Sequence, residues 1–340
     1  MQYGLWLPVY GGWLRADGFD TRPLAAECLE LASLAEREGY AAVYASENFL
    51  NCVHGPEHEV LDTWTLLSAV AARTERIRLI GALKPAFRPS LVAAQMIATV
   101  DQLARGRVEI NIACGWWQEE FDLCGANWRG HDDKYDHAAE YVSELKGFWS
   151  GAEEPRRPLY RNKPMSFWVG GHSDAALRFA ARHCEVLFLN GMPPEEVVAF
   201  RERFRALNPG ARVPRIVMNA FVILADSDAA AEARKAELLA AVRPELIALY
   251  RKAQKVAGTK TWSTLSDAEL IDANGGFQAA LMGAPDTVLA RAADYKAAGV
   301  EMLLCQFPDM LTDSRSFAEK IISRRSGASF QDRERGLQNV

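Results

Sequence analysis

Charge of one sign, long apolar runs and paired cysteines are all scarce in this sequence. Lys and Arg number 39 against 44 Asp and Glu, a formal net charge of −5 over 340 residues. That slight acidity argues against nucleic acid or an anionic membrane surface as the principal partner. No window reaches the ~18–20 consecutive apolar residues that a membrane-spanning helix needs. The segment from Met1 to Asp20 lacks a basic stretch followed by an apolar one, so no secretory signal is expected. Six cysteines (Cys28, Cys52, Cys114, Cys124, Cys184, Cys305) are scattered with no Cys-x-x-Cys pair. That pattern fits reduced thiols in the cytoplasm, not a disulfide framework. Internal repeats and low-complexity tracts are also lacking.

What is present is an ordinary globular composition, 49% hydrophobic and 24% charged, in a chain long enough to bury a large core. Eight short apolar runs recur: Tyr3–Val9, Ala41–Glu47, Ile77–Pro85, Val108–Gly115, Ser166–Gly171, Glu185–Asn190, Arg215–Leu224 and Met302–Pro308. Helix-period segments separate them: Leu24–Glu38, Thr63–Arg73, Leu91–Leu103, Tyr135–Trp149, Ala175–His183, Pro194–Leu207 and a long Ala229–Ala257, with Ser314–Arg324 after the last run. Nearly continuous apolar strands, each followed by a helix, imply a parallel sheet covered by helices. Eight such units predict an α/β fold of the closed (β/α)8 TIM barrel type. An apolar-poor insertion, Ser263 to Phe277, is expected between strands 7 and 8. The barrel is expected as one domain over 1–325, with a polar tail over 326–340. Ser90 and Ser173 are expected helix N-caps.

Barrel enzymes carry their chemistry at the C-terminal ends of the strands. Here those ends read Pro8 to Trp13, Ser46-Glu47-Asn48, Ala82 to Pro85, Asn111 to Trp117, Gly170 to Ser173, Asn190-Gly191-Met192, Asn219-Ala220-Phe221 and Gln306-Phe307. This rim is rich in aromatics and amides and poor in charge, which suits a flat aromatic cofactor better than a metal or a polyphosphate. His54 and His58 are separated by Gly55-Pro56, so a helix cannot set both on one face as a metal-binding pair. His58-Glu59 lacks the second His of HExxH. No metal site is expected.

The Gly171-His172-Ser173-Asp174-Ala175 turn falls short of GxSxG by its last glycine. The only later imidazole, His183, stands about 15 Å away along the same helix, so no serine triad is available. The turn reads either as an anion cradle, with free N–H groups and a hydroxyl at a helix N-terminus, or as a tight turn with a cap. Asn111, near the end of a buried strand, is either a satisfied core amide or a ligand contact. Cys114 has no cation within three positions to activate it.

The run from Ile80 to Phe121 resembles the bacterial luciferase-like flavin monooxygenases. So do His131 to Tyr135, Trp168 to Asp174, Leu189 to Glu195, Gly275 to Pro285 and Ala298 to Pro308. Order and spacing match over roughly residues 3–325. The nearest branches are the alkanesulfonate, dimethyl sulfone and pyrimidine monooxygenases.

The resemblance implies a TIM barrel that takes FMNH2 from a separate NAD(P)H:flavin reductase. It implies that O2 is the co-substrate and that a flavin-oxygen adduct oxygenates a small molecule. A homo-oligomer, dimer or tetramer, is implied as well. Carried over residue by residue, the flavin contacts fall on Glu47, Asn48, Asn111, Glu120, Lys134, Tyr135 and Ser173. Ala82, Gly171 and His172 are expected to join them. Where the alkanesulfonate branch carries an Arg and a His at the end of strand seven, this chain has Asn219 and Phe221. A cysteine and a tyrosine of that branch align with Val60 and Phe307. The missing cations disfavour a sulfonate and favour a small neutral organosulfur or heterocyclic compound. His54, His58 and Asn111 are the expected catalytic residues, the two imidazoles for proton handling. A deazaflavin-dependent dehydrogenase and a non-catalytic flavin-binding protein are the alternatives.

Overall fold

In the computed structural model the chain alternates strand and helix around a closed barrel. The structure describes residues 1–18, 22, 24–257, 265–272 and 274–326. The tail expected over 326–340 lies outside the described residues beyond 326, as do residues 263, 264 and 273 of the expected insertion.

The elements run β1 (Gln2–Trp6), α1 (Ala25–Glu38), β2 (Ala42–Ala45), α2 (Thr63–Arg73), β3 (Arg78–Leu83), α3 (Ser90–Leu103) and β4 (Val108–Ile112). There follow α4 (Gln118–Leu123), α5 (His131–Ser150), β5 (Ser166–Gly170), α6 (Asp174–His183), β6 (Val186–Leu189), α7 (Pro194–Leu207) and β7 (Arg215–Leu224). The last part holds α8 (Asp228–Ala240), α9 (Pro244–Ala257), β8 (Leu281–Gly283), α10 (Pro285–Ala298), β9 (Val300–Gln306) and α11 (Met310–Phe317). A π-helical turn, Ala318–Ile322, continues α11.

Strands β1 to β7 pair in sequence, all parallel, and β9 closes the ring between β7 and β1. This is the eight-stranded (β/α)8 barrel that the pattern predicts. β8 is an addition to it, pairing only with the outer end of β7 through Val222↔Leu281 to Leu224↔Gly283. The floor of the barrel is polar. Arg78 and Glu109 lie 3.3 Å apart, and Trp168 Nε1 donates to Glu109 at 2.6 Å.

Several boundaries differ from the expectation for local reasons. The Ala229–Ala257 segment is two helices. Pro244 lacks the N–H an unbroken helix would need, and the backbone just before it is taken by the N-terminal loop: Asp17 N donates to Ala241 O at 2.8 Å and Arg243 N to Arg15 O at 2.9 Å. Ser90 is the first helical residue, not the cap. Pro89 precedes it in an extended conformation, and its carbonyl already accepts from Ala93 N at 3.1 Å. Ser173 is an N-cap as expected, its Oγ accepting from Ala176 N at 3.2 Å. α4 and α10 are helices outside the expected set.

Candidate active site

The lumen face of each strand follows from contacts that cross the barrel. Trp6 on β1 packs against Phe188 on β6, ring centroids 5.4 Å apart, and these strands are not neighbours. Trp6 therefore points inward, and by the two-residue period so does Gly4. A Cβ on Gly4 would meet Leu304 at 2.8 Å, so Leu304 and, two positions on, Gln306 also face the lumen. Asn219 pairs in register with Leu304, and Phe221 with Gln306, which sets both on the same face. Asn111 Nδ2 reaches Tyr44 Oη at 2.8 Å from β4 to β2, again across the lumen. Ala82 is in register with Asn111. The upper lumen layer thus contains Trp6, Tyr44, Ala82, Asn111, Phe188, Asn219, Phe221 and Gln306.

This layer holds buried polar groups without partners. Asn111, Asn219 and Gln306 are 3%, 0% and 0% exposed. Among the described residues, Asn111 Oδ1, Asn219 Oδ1 and both amide atoms of Gln306 make no hydrogen bond. Each such group costs about 1–3 kcal/mol in a site shielded from water. Three together mark a surface shaped for a ligand with polar edges. Asn219 Nδ2 donates to Asn274 O at 3.3 Å, and Gly276 passes so close that a Cβ there would meet Phe221 N at 2.7 Å. Residues 274–276 therefore roof this side of the mouth. Trp13 covers the other, packed on Trp6 and Tyr10 with ring centroids 5.2 and 5.7 Å away.

The β5–α6 turn is the second part of the site. Gly171 has φ +153°, and a Cβ there would meet Tyr135 Oη and Ala176 Cβ, each at 2.8 Å. Tyr135, near the start of α5, thus packs directly on this turn. Four expected cofactor residues, Tyr135, Gly171, His172 and Ser173, are thereby gathered at the N-terminus of a ten-residue helix. Backbone N–H groups, two hydroxyls and the helix dipole there suit a phosphate. Burial, with Arg203 adding to it, pushes the His172 pKa down to about 4, and its Nε2 is without a partner among the described residues. The residues present thus fit a flavin mononucleotide: a cradle for its phosphate and, in Asn111, a free amide for its ring.

Glu47, Asn48 and Glu120 occupy a third cluster, linked through residues the sequence did not single out. Arg88 Nη1 lies 2.6 Å from Glu47 Oε1, and Lys84 N donates to Glu47 Oε2. Lys84 Nζ donates both to Asn48 Oδ1 and to Glu120 Oε2, while Asn48 Nδ2 donates to Tyr10 Oη. Glu120 Oε1 accepts from Phe49 N at 2.8 Å and Leu50 N at 3.2 Å. Burial holds the Glu47 pKa above the usual carboxylate value, against the pull of Arg88 and Lys84. Lys134 points elsewhere. Its Nζ sits 3.2 Å from the Trp128 ring centroid and donates to Gly115 O at 3.2 Å, and burial lowers its pKa to about 8. A shallow surface cleft opens beside it, lined by Cys114, Arg129 and His137 among others.

His54 and His58 follow β2, with ring centroids 6.1 Å apart. His54 is 1% exposed, and its Nε2 has no partner among the described residues. Burial, then His58, Arg15 and Arg243, lowers its pKa to about 4. Arg15 is a buried clasp missed in the sequence. Its Nη1 donates to Leu270 O and Asp272 O, both at 2.7 Å, and its Nη2 to Cys52 O at 2.8 Å. The Tyr250 ring lies over the guanidinium, 4.0 Å from centroid to Cζ. Among the described residues, no group of three or more His, Cys, Asp or Glu could hold a metal ion, and no helix is long and apolar enough to cross a membrane.

Comparison with known proteins agrees with this fold. A family model described as luciferase-like monooxygenase matches residues 1–302. The FMNH2-dependent dimethylsulfone monooxygenase of Pseudomonas fluorescens (strain Pf0-1) is 30% identical over 342 residues, covering 95% of this chain and 93% of that protein. The pyrimidine monooxygenase RutA of Methylobacterium radiotolerans is 29% identical over 351 residues, covering 94% and 91%. Among solved structures, riboflavin lyase RcaE superposes with a TM-score of 0.78 at 16% identity, covering 97% of this chain and 92% of that one, a likeness of fold alone.

Proposed function

The chain belongs to the luciferase-like monooxygenase family, and from that premise we propose that it is a flavin-dependent monooxygenase, using reduced FMN and O2 to oxygenate a small neutral organosulfur or heterocyclic compound. The observation that carries this reading is the pairing of an anion cradle at Gly171–Ser173 with a lumen layer whose free polar groups are neutral amides. The cations nearest the expected site residues are already engaged, Lys84 by Glu120 and Arg88 by Glu47. Nothing in that cluster is left to balance a sulfonate, whereas a neutral substrate needs no counter-ion.

In this reading Ser173, Tyr135 and the first N–H groups of α6 hold the phosphate. Asn111 would help hold the ring system through its free Oδ1, with Ala82 in register beside it. Glu47, Asn48 and Glu120 act through the Lys84 and Arg88 network to hold the loops around the flavin. Trp6 and Trp13 keep water out, which suppresses loss of reducing equivalents as peroxide. Bound reduced FMN supplies two electrons, so that one atom of O2 enters the substrate and the other leaves as water. Burial keeps the His54 imidazole neutral at pH 7 and reluctant to take up a proton, so with His58 beside it in the loop after β2 it would act by hydrogen bonding at its free Nε2.

A separate NAD(P)H:flavin reductase delivers the flavin, and the enzyme works as a homo-oligomer in the cytoplasm. The test is turnover with a flavin reductase, NADH, FMN and ¹⁸O2, scored by product mass with dimethyl sulfone and uracil as first substrates. Peroxide release with no labelled product removes those substrates. A chain that fails to bind reduced FMN at micromolar concentration removes the reading itself.

A further inference from the structure

Gln306 closes β9 at the barrel mouth with its whole side chain hidden from solvent and neither Nε2 nor Oε1 bonded among the described residues. Its in-register neighbour on β7 is Phe221, whose ring lies 4.8 Å from that of Phe277. Hydrocarbon on that side offers the amide nothing. Asn219, one pleat deeper on the same face of β7, has its donor on Asn274 O and its acceptor free. The β7–β9 wall therefore shows a free donor and acceptor at one end of Gln306, and a further free acceptor on Asn219.

A ligand must answer this pattern. A lactam or imide carries N–H and C=O side by side, and a carboxamide pairs with that edge through two parallel hydrogen bonds. A second N–H on the ring would satisfy Asn219 Oδ1. A sulfone has acceptors only. It would take Gln306 Nε2 and leave two buried carbonyl oxygens dry, and a site built on hydrogen bonds rejects such a partner strongly.

We propose that Gln306, seconded by Asn219, reads the substrate and selects a small neutral ring bearing a cis N–H/C=O edge over a sulfone. The inference rests on the monooxygenase reading above and narrows its substrate class.

The experiment uses the full chain loaded anaerobically with reduced FMN. Uracil, succinimide and 2-pyrrolidinone are titrated against dimethyl sulfone, following the flavin spectrum, and KM is measured in the coupled assay. At least one of the ring amides is expected to bind, with dimethyl sulfone weaker. Gln306→Leu should raise KM for the bound ring amide by ~10- to 100-fold, the loss of two hydrogen bonds, while leaving the affinity for reduced FMN within a factor of about two. Gln306→Glu, which keeps the shape and the acceptor but loses the donor, should fail on the same substrate and serves if the leucine variant folds poorly. Tighter binding of dimethyl sulfone than of every ring amide overturns the proposal. So does an unchanged KM in the variants, which would make Gln306 an unpaired core amide. Failure of the unaltered chain to bind reduced FMN would instead strike the monooxygenase reading, and this inference with it.

Discussion

Lys84 and Glu120 form an ion pair at the barrel mouth in which both side chains are shielded from water, 4% and 0% exposed. They come from the loop after β3 and from α4, and Glu120 also takes two N–H groups of the loop after β2. One pair thus ties three strand ends together. Lys84→Met should leave a buried carboxylate uncompensated and destabilise the fold by about 3–5 kcal/mol. Replacing both, as Lys84→Met with Glu120→Gln, should recover a large part of that loss. Urea denaturation of the two variants checks it, and a single variant no less stable than the double one would contradict the pairing.

The cradle makes separable claims. Ser173→Ala removes a cap worth about 1 kcal/mol of stability and, independently, a hydroxyl that would bind an anion. The dissociation constant for reduced FMN should rise ~5- to 30-fold, the loss of one hydrogen bond to a charged group. Gly171→Ala should also weaken FMN, because its methyl group must displace Tyr135 Oη from 2.8 Å. Fluorescence titration with FMN measures both. A lower melting temperature with unchanged affinity in the serine variant would reduce Ser173 to a helix cap.

Arg15 fastens the segment after α9 to the barrel. Its guanidinium holds the carbonyls of Leu270 and Asp272, and the Asp272 carboxylate in turn accepts from Gly276 N at 2.7 Å. Arg15→Met should cost about 2–4 kcal/mol of stability, several buried hydrogen bonds at once. It should also speed amide exchange at Gly276 and Phe277 before any change at β1–β4. Hydrogen exchange with mass spectrometry resolves the two regions, and uniform exchange across the chain would refute a local clasp.

Acid should weaken the protein through His172. Burial lowers its pKa from 6.5 to about 4, so the unfolded chain binds the proton first. The contribution is complete above about pH 6.5 and is lost as the pH falls towards 4, on the order of 2–3 kcal/mol over the window. His172→Gln should flatten the dependence of unfolding free energy on pH between 7 and 4.5. Parallel curves for the two proteins would show that His172 is protonated as readily in the folded chain as in the unfolded one.

Much of the fold was legible because its signals are local. Apolar runs and helix-period segments mark all eight barrel strands almost in place, and Gly170 to Ser173 announces a turn into a helix within four residues. The break before Pro244 was missed because the groups that take up the backbone there, Arg15 and Asp17, stand far away in sequence. The expectation for Glu47, Asn48 and Glu120 came from resemblance; that Lys84, Arg88 and Tyr10 engage them could not be read from spacing, since Lys84 and Arg88 stand on the loop after β3 and Tyr10 on the loop after β1.

The residues in order were enough to dictate an alternating α/β chain, its parallel barrel, the glycine-bracketed turn and a rim poor in charge, because each depends on neighbours within a few positions. Barrel closure decided the rest. Only when β9 returns to lie between β1 and β7 do Asn111, Asn219 and Gln306 face one lumen, and only then is water withdrawn from them, so that an ordinary strand amide becomes a polar group in want of a ligand.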